Sequence, residues 1–383
     1  MNFLSQGTAQ LALSPLQVFF RKARELKAAN PNIISLAVGE PTSPTPLVVK
    51  NAGIAAIRSN RTRYTPAGGT MELRSKAAED FQKNGIPATS QNTIISAGSQ
   101  PLIAAAMLAT TDPGDTVIVP TPYYPPFVTL ARLFGLNIIH LDTSNDNFQL
   151  KNDVIKNVIS GREKKVILLF NYPNNPTGVV WNPKELLNLH GNVYIIADEA
   201  YQRIYYGQDR FVSAASLPEL ADRTITIRSC SKSFNMSGLR IGYLTGPQEV
   251  AEKIEIILEA MMVSACSISQ EAALAAFDKT EKAIARNLQD LSRRRNAVVR
   301  WLKKRSLTFP NPQGAFYVFA NLPERIGVTS ATLAEMILEK ADVVITPGIA
   351  FGNDKYVRMS YACAASLAKL KEALARIEKT LSF

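Results

Sequence analysis

The stretch TITIRSCSKSFNMSGLRIGY, residues 224–243, places a lone lysine directly after a run that is typical of a buried strand. Lys232 has no charged neighbour from Ser229 to Leu239, and Arg240 follows eight positions later. Hydroxyl groups, backbone amides and an arginine suit a phosphate, whereas a lysine among them suits a covalent bond to a carbonyl carbon. The stretch therefore predicts a strand that ends in a binding site.

Similar β-branched runs alternate with helical stretches along most of the chain, which predicts an α/β fold with a mainly parallel sheet. The runs are residues 93–96, 116–120, 165–170, 193–198 and 224–229. Ligands of such sheets bind beyond the carboxyl ends of the strands, so residues there are expected to form one site. The residues at these ends are Gly98, Tyr123, Asn175, Asp198 and Lys232.

The C-terminal part of the chain has a different pattern. Residues 252–304 predict two helices broken near 265–267, and short strands follow in GAFYVFA (314–320), DVVITP (342–347) and YVRMS (356–360). We predict three segments. They are an N-terminal arm with part of a small domain (1–45), a large cofactor-binding domain (46–285) and a small α+β domain (286–383).

Composition excludes several classes of protein. No apolar run approaches the roughly 18 residues of a membrane span, and the first basic residue is Arg21, so we expect a cytoplasmic protein without a secretory signal. The net charge is +11, but the basic clusters are scattered and lack interleaved aromatic residues. This distribution favours solvated helix faces over a nucleic-acid surface.

The cysteines and histidines give no metal or disulfide pattern. Cys230, Cys266 and Cys363 are an odd, widely spaced set, and His140 and His190 are the only histidines. We therefore expect no zinc site, no disulfide framework and no histidine-based catalytic triad.

The motif SAGSQ, residues 96–100, combines a strand end, a glycine and a helix start. Amides at a helix N-terminus bind phosphate, although a plain helix cap is the simpler explanation of this motif alone. With Lys232 as the partner of an aldehyde, the ligand that unites a phosphate and an aldehyde is pyridoxal phosphate. Asp198 would then pair with the pyridinium nitrogen, unless it only caps its strand.

The chain resembles the class I/II aminotransferases, which are pyridoxal-phosphate enzymes of fold type I. The motifs that carry this resemblance are ISLAVGEPTSPTP (34–46), RYTPAGGT (63–70), NYPNNPTG (171–178), SKSFNMSGLRIGY (231–243) and YVRMS (356–360). The resemblance implies a large domain with a seven-stranded, mainly parallel sheet between helices, and a smaller α+β domain. It also implies a homodimer with shared active sites.

The same resemblance assigns roles toward the cofactor. Lys232 is the lysine that bonds to it covalently, Asp198 pairs with the ring nitrogen, and Tyr201 and Asn175 bond the ring hydroxyl. The remaining cofactor contacts implied are the amides of Ser99 and Gln100, the phosphate ligands Ser229 and Arg240, the stacking ring of Tyr124, and Tyr64 from the neighbouring subunit.

The substrate side of the site is less defined. The resemblance implies that Arg358 holds the substrate α-carboxylate, with Gly39 beside it. Many relatives carry Asp-Phe where this chain has Thr42 and Ser43, near the substrate entrance. No arginine is clearly placed to bind a second carboxylate of the substrate. Arg21 and Lys22, near the N-terminal arm, are the candidate cations for that role.

The implied activity is transfer of an amino group between an L-amino acid and a 2-oxo acid by a ping-pong mechanism. Aspartate, aromatic and neutral aliphatic amino acids all remain candidate donors. One alternative is a pyridoxal-phosphate lyase acting on carbon–sulfur bonds, or one like the aminocyclopropane-carboxylate synthases, which TPYYPPF (121–127) also resembles. A more remote alternative is a non-catalytic effector-binding domain.

Overall fold

A seven-stranded sheet forms the centre of the computed structural model, which describes residues 15–161, 164–189 and 191–381. Its strands are β2 (Thr93–Ser96), β3 (Thr116–Thr121), β4 (Asn137–Asp142), β5 (Val166–Asn171), β6 (Val193–Asp198), β7 (Thr224–Ser229) and β8 (Gly242–Thr245). The order is β2-β8-β7-β6-β5-β3-β4, and β8 alone among these strands runs antiparallel to its neighbours. The predicted α/β fold with a mainly parallel seven-stranded sheet is confirmed.

Helices cover both faces of this sheet and the C-terminal part of the chain. The α-helices are Pro15–Ala29, Leu47–Arg58, Met71–Gln82, Ser99–Thr110, Pro125–Leu133, Asn152–Ile159, Pro218–Ala221, Cys230–Ser233, Gln248–Met262, Ser267–Lys279, Glu281–Lys304, Leu322–Ile326, Ser330–Ala341 and Leu367–Leu381. In the described part of the chain, no helix is both long and apolar enough to cross a membrane. The cytoplasmic location stays a prediction.

Burial on both faces explains why the central strands read as continuous apolar runs. Every residue of β5 and of β7 is buried. Side chains alternate between the faces of a strand, so Ile167 and Leu169 pack in one hydrophobic cluster, and Leu168 and Phe170 pack in another. β5 accordingly reads as an apolar run up to Asn171, whereas in β7 the polar residues Thr224, Thr226 and Arg228 alternate with isoleucines although all are buried.

A second, smaller sheet lies near the C-terminus. Strands β11 (Thr346–Pro347), β12 (Val357–Ser360) and β9 (Tyr317–Ala320) form an antiparallel sheet in that order. Strand β1 (Ile34–Ser35) pairs in parallel with β10 (Val343–Val344). This pairing joins the N-terminal segment to the C-terminal part of the chain.

The helix Pro15–Ala29 packs in the same C-terminal core, since Phe19 and Ala23 share a cluster with Trp301 and Leu374. This packing supports the predicted assignment of the N-terminal arm to the small domain, and the three-segment division stays a prediction. Residues 1–14 of the arm lie outside the described residues. The continuous helix Glu281–Lys304 spans the predicted boundary between residues 285 and 286.

The prediction of two helices over residues 252–304 is wrong, because the structure has three. The break after Gln248–Met262 lies where it was predicted, but a second break separates Ser267–Lys279 from Glu281–Lys304. Thr280 leaves the helical region with φ −113° and ψ 1°, and its hydroxyl donates to the Ala276 carbonyl at 2.6 Å. Neither glycine nor proline marks this break, so the sequence pattern continues through it.

Candidate active site

A cavity of about 500 Å³ opens at the carboxyl ends of β5, β6 and β7. Most of the predicted site residues line it, although they come from distant parts of the sequence. The predicted residues in its lining are Gly39, Ser99, Gln100, Tyr124, Asn175, Asp198, Tyr201, Ser229, Lys232, Arg240 and Arg358. The sheet therefore brings them together at the edge where ligands of such folds bind.

One end of the cavity is built for an anion. Gly98 has φ 98° and precedes the helix Ser99–Thr110, whose first amides have no partner within the helix. A Cβ atom at Gly98 would collide with the guanidinium of Arg240, so glycine is what lets this cation approach the helix start. The Arg240 side chain donates to the Ser237 carbonyl at 2.9 Å, which holds it there. A helix N-terminus combined with an arginine is a phosphate-binding arrangement.

Asp198 ends β6 as a buried carboxylate with little compensation. The described residues give its side chain one hydrogen bond, from the Ala200 amide at 3.0 Å. Burial, with a smaller contribution from the neighbouring charge of Glu199, raises the pKa of Asp198 to about 7. A cation placed in the cavity beside Asp198 would restore its ionised form.

The negative charge of the adjacent acid, Glu199, is balanced by an arginine and by hydrogen bonds from within the protein. Arg228 lies fully buried between Glu199 and Asp80, with N–O distances of 2.9 Å to each. Glu199 also accepts hydrogen bonds from the hydroxyls of Tyr172 and Ser213. Of the two acids that follow one another at the end of β6, only Asp198 is left to interact with a ligand.

Lys232 has the properties of a nucleophile. Burial lowers the pKa of its amine to about 8, with the positive charges of Arg240 and Arg358 contributing in the same direction. Its Nζ donates to the Gly39 carbonyl at 2.5 Å. A lysine with this pKa supplies the neutral amine near physiological pH, which is the form that attacks a carbonyl carbon.

Arg358 enters the cavity from β12, in the C-terminal sheet. Its Nη1 donates to Asn175 Oδ1 at 2.7 Å and its Nη2 to the Ala37 carbonyl at 2.5 Å. The guanidinium also lies over the Tyr317 ring, 4.5 Å from its centroid. A guanidinium carries five N–H donors, so these contacts fix its plane and leave donors for a substrate carboxylate.

A family model described as aminotransferase class I and II matches residues 31–377 of this chain. The chain belongs to the class I and II aminotransferases. Enzymes of this family depend on pyridoxal phosphate, and the chain is accordingly a pyridoxal-phosphate-dependent aminotransferase.

Curated relatives agree with this membership of the aminotransferase family. The aspartate/prephenate aminotransferase of Cereibacter sphaeroides is 35% identical over 99% of this chain and 98% of its own length. A bifunctional aspartate aminotransferase and glutamate/aspartate-prephenate aminotransferase of Petunia hybrida is 36% identical over 94% of this chain and 79% of its own length. The aspartate aminotransferase of Thermus thermophilus, solved with maleate, superposes with a TM-score of 0.92 at 31% identity, covering 99% of this chain and all of that one.

The residues of this aminotransferase fit the cofactor in three separate respects. The cradle formed by Gly98 and Arg240 suits its phosphate. The largely uncompensated carboxylate of Asp198 suits a protonated ring nitrogen. The amine of Lys232 faces the same cavity and has the lowered pKa that a bond to an aldehyde carbon needs.

Several residues of the aminotransferase that the sequence singled out lie outside this cavity. Tyr64 is 87% exposed and is not part of the lining. Tyr123, which was expected in the site, instead stacks on His140 with ring centroids 5.2 Å apart. His190 lies outside the described residues.

The predicted substrate-side positions contact the C-terminal part of the aminotransferase. The hydroxyl of Thr42 donates to the Ala362 and Ala364 carbonyls, and the hydroxyl of Ser43 bonds Asn287 at 2.8 Å. Lys22 forms surface ion pairs with Glu335 and Glu339. Neither Arg21 nor Lys22 is among the described residues that line the cavity.

The sequence analysis missed Tyr317, which lines the cavity and bonds Tyr201. Tyr317 lies in β9, which pairs with the strand that carries Arg358. Its motif, GAFYVFA, indicates a strand but gives no sign of which side chain faces a ligand. Tyr317 could be identified only from the pairing of β9 with β12, whose residues lie about 40 positions apart in the chain.

We predict that Asp198→Asn stabilises the cofactor-free aminotransferase at pH 8. The pKa of Asp198 is raised to about 7 from an ordinary value of 3.8, so the folded state binds the proton more tightly than the unfolded state. Stability is therefore lost as pH rises between these values. Asparagine avoids the buried charge, and we expect a gain on the order of 2 kcal/mol at pH 8 that shrinks toward pH 4. Urea unfolding at several pH values measures it.

Asp80→Asn is the matched control. Asp80 is equally buried, but its pKa is lowered by Arg228 and Arg203 against the opposing effect of burial, so its charge stabilises the fold above the ordinary carboxylate pKa. Its replacement should destabilise the protein at pH 8. A loss of stability in Asp198→Asn similar to that in Asp80→Asn would contradict the account of Asp198.

Proposed function

We propose that this aminotransferase binds pyridoxal phosphate through Lys232, and that the helix start after Gly98 would hold the phosphate while Asp198 would pair with the ring nitrogen. It then moves an amino group between an L-amino acid and a 2-oxo acid in two half-reactions. The observation that carries this proposal is the shared cavity. The amine of Lys232, the carboxylate of Asp198 and the guanidinium of Arg358 all face it from different elements.

In this proposal some residues of the cavity bind the phosphate of the cofactor and others contact its ring. The phosphate ligands are the amides of Ser99 and Gln100 with Ser229 and Arg240, and the ring contacts are Tyr124, Asn175, Asp198 and Tyr201. When bound, pyridoxal phosphate withdraws electrons from the substrate α-carbon, provided that its ring nitrogen stays protonated. Asp198 maintains that protonation because its buried carboxylate is ionised most easily beside a cation.

Lys232 also acts as the base of the reaction. When its Nζ is not bonded to the cofactor, Lys232 would accept the proton of the substrate α-carbon and would later give it up again as the acid of the same proton transfer. A base is most effective when its pKa is near the working pH, and the pKa of Lys232 is lowered to about 8. The same burial therefore serves both covalent attachment and proton transfer.

Arg358 holds the α-carboxylate that all amino acid and 2-oxo acid substrates share. Two parallel N–H donors of a guanidinium match the two oxygens of a carboxylate. The bond to Asn175 links this clamp to the loop that also contacts the ring. Gly39 borders the same space, and its lack of a side chain keeps it open.

L-Aspartate is the first donor to test, because the relatives are named as aspartate and aspartate/prephenate aminotransferases. Aromatic and neutral aliphatic amino acids come next. In the described lining of the cavity the cations are Lys232, Arg240 and Arg358, and each has a role toward the cofactor or the α-carboxylate. A second carboxylate of the substrate would thus need polar groups of another kind or a cation from a partner subunit.

A panel of amino donors with 2-oxoglutarate and oxaloacetate tests the activity. We expect one molecule of acceptor to be consumed for each molecule of donor, and Lys232→Ala to lose turnover while the surface variant Lys22→Ala keeps it. Turnover that continues without a 2-oxo acid would instead support the lyase alternative. Binding of amino acids without turnover by the wild-type protein would support an effector-binding domain.

We also propose that two copies of the chain form a homodimer with shared sites. Tyr64 is exposed, and exposed apolar side chains of the neighbouring sequence include Leu47, Ile57 and Met71. Exposed apolar groups of this kind mark protein interfaces when they lie together. In the dimer, Tyr64 of one chain would reach the cofactor phosphate of the other.

Mixing two inactive variants tests the shared site. A Lys232→Ala chain paired with a Tyr64→Ala chain builds one intact site and one doubly altered site. Random exchange should therefore restore about a quarter of the wild-type sites. No recovery of activity, despite exchange demonstrated by mass spectrometry of tagged chains, would contradict the assignment of Tyr64.

A further inference from the structure

We propose that Tyr317 is a positioning residue that orients the hydroxyl proton of Tyr201 toward the ring oxygen of the cofactor. This inference rests on the proposed function. Tyr317 does not itself touch that oxygen in the proposal; it acts through Tyr201. Its ring and its hydroxyl have separable roles, since the ring packs on Arg358 and the hydroxyl bonds Tyr201.

The two hydroxyls form a close, buried pair. Their oxygens are 2.8 Å apart, and the rings meet edge to face, with centroids 5.7 Å apart and an interplanar angle of 81°. Both side chains are buried at the wall of the cavity. Water therefore has little access to either oxygen, and each hydroxyl depends on the other for a hydrogen bond.

A tyrosine hydroxyl has one proton to donate and can also accept, so the pair has two possible directions. If Tyr201 donates to Tyr317, its proton is turned away from the cavity. If Tyr317 donates to Tyr201, the proton of Tyr201 is free for a ligand oxygen. A ligand oxygen that accepts from Tyr201 selects the second direction, and consecutive hydrogen bonds of this kind strengthen one another.

Tyr317 is well fixed for this task. It lies in β9, whose partner β12 carries Arg358, and the Arg358 guanidinium covers its ring at 4.5 Å. The hydroxyl reaches Tyr201 past Gly39, where any Cβ atom would collide with it. The antiparallel sheet that carries Arg358 on β12 therefore also carries the hydroxyl behind Tyr201 on β9.

Tyr317→Phe removes the hydroxyl and keeps the ring. A hydrogen bond to the ring oxygen stabilises its anionic form, so a weaker bond lets the Lys232 nitrogen hold its proton more tightly. We expect the pH midpoint of the cofactor absorption band in the resting enzyme to rise by about half a pH unit to one unit. We expect kcat to fall about three- to tenfold while KM stays within about twofold, because the ring still packs on Arg358.

A double-mutant cycle separates action through Tyr201 from a direct effect. In a Tyr201→Phe background, Tyr317→Phe should leave the midpoint nearly unchanged, because the hydroxyl that it supports is gone. An equal shift in both backgrounds would overturn the proposal. An unmoved midpoint in Tyr317→Phe alone would overturn it as well.

Tyr361→Phe is the matched control, since the hydroxyl of the buried Tyr361 donates to that of the partly buried Tyr206 at 3.2 Å, and neither residue lines the cavity. The pH midpoint of the cofactor band in Tyr361→Phe should equal that of the wild type. A rise similar to that in Tyr317→Phe would overturn the proposal, because the loss of any tyrosine hydroxyl would then have the same effect.

Should Tyr317→Phe fail to fold, Gly39→Ala displaces the same hydroxyl. It should raise the midpoint in an otherwise wild-type chain but not in a Tyr201→Phe background, and no rise in the wild-type background would overturn the proposal.

The same titrations distinguish failure of this inference from failure of the proposed function. A wild-type protein that shows no cofactor absorption band after incubation with pyridoxal phosphate contradicts the proposed function, and with it the role of Tyr317. A normal band whose midpoint does not respond to Tyr317→Phe contradicts the inference alone.

Discussion

The buried carboxylate of Asp198 is the constraint on which the rest of the site depends. A charge removed from water is costly unless it is paired, and within the described ranges of the chain this one accepts a single backbone hydrogen bond. The neighbouring Glu199 shows how the same chain treats a buried acid that needs no ligand, because Arg228 and two hydroxyls surround it. The difference between these adjacent residues indicates that the partner of Asp198 comes from outside the chain.

The two sheets supply different parts of the chemistry. The large sheet contributes Asp198 and Ser229 from strand ends, and Lys232 from the short helix Cys230–Ser233 that follows β7. The C-terminal sheet contributes Arg358 and Tyr317 from paired strands. In the proposed function, a substrate held by its carboxylate on one sheet and by its amino group at the cofactor on the other would be oriented with its α-carbon near Lys232, which would reduce the entropy cost of reaction.

The sequence predicted five of the seven strands of the large sheet, among them β5, which reads as a buried apolar run. It did not predict β4, which is mostly exposed or partly exposed, or the antiparallel β8. It placed Lys232 and Asp198 at strand ends, and the structure brings both to the cavity. It missed Tyr317 and misplaced Tyr123, because only the three-dimensional pairing of strands determines which side chains at a strand face the cavity. The break at Thr280 was missed because a backbone rotation ends that helix without glycine or proline.

Borohydride reduction of the cofactor-loaded protein, followed by peptide mapping, tests the central claim most directly. We expect the reduced cofactor to be attached to Lys232, because the pKa of this partly buried amine is lowered to about 8 and the phosphate cradle lies in the same cavity. Exposed lysines keep their protons more strongly at neutral pH and should remain unlabelled. Attachment to a different lysine, with Lys232 unmodified, would contradict the assignment of the site.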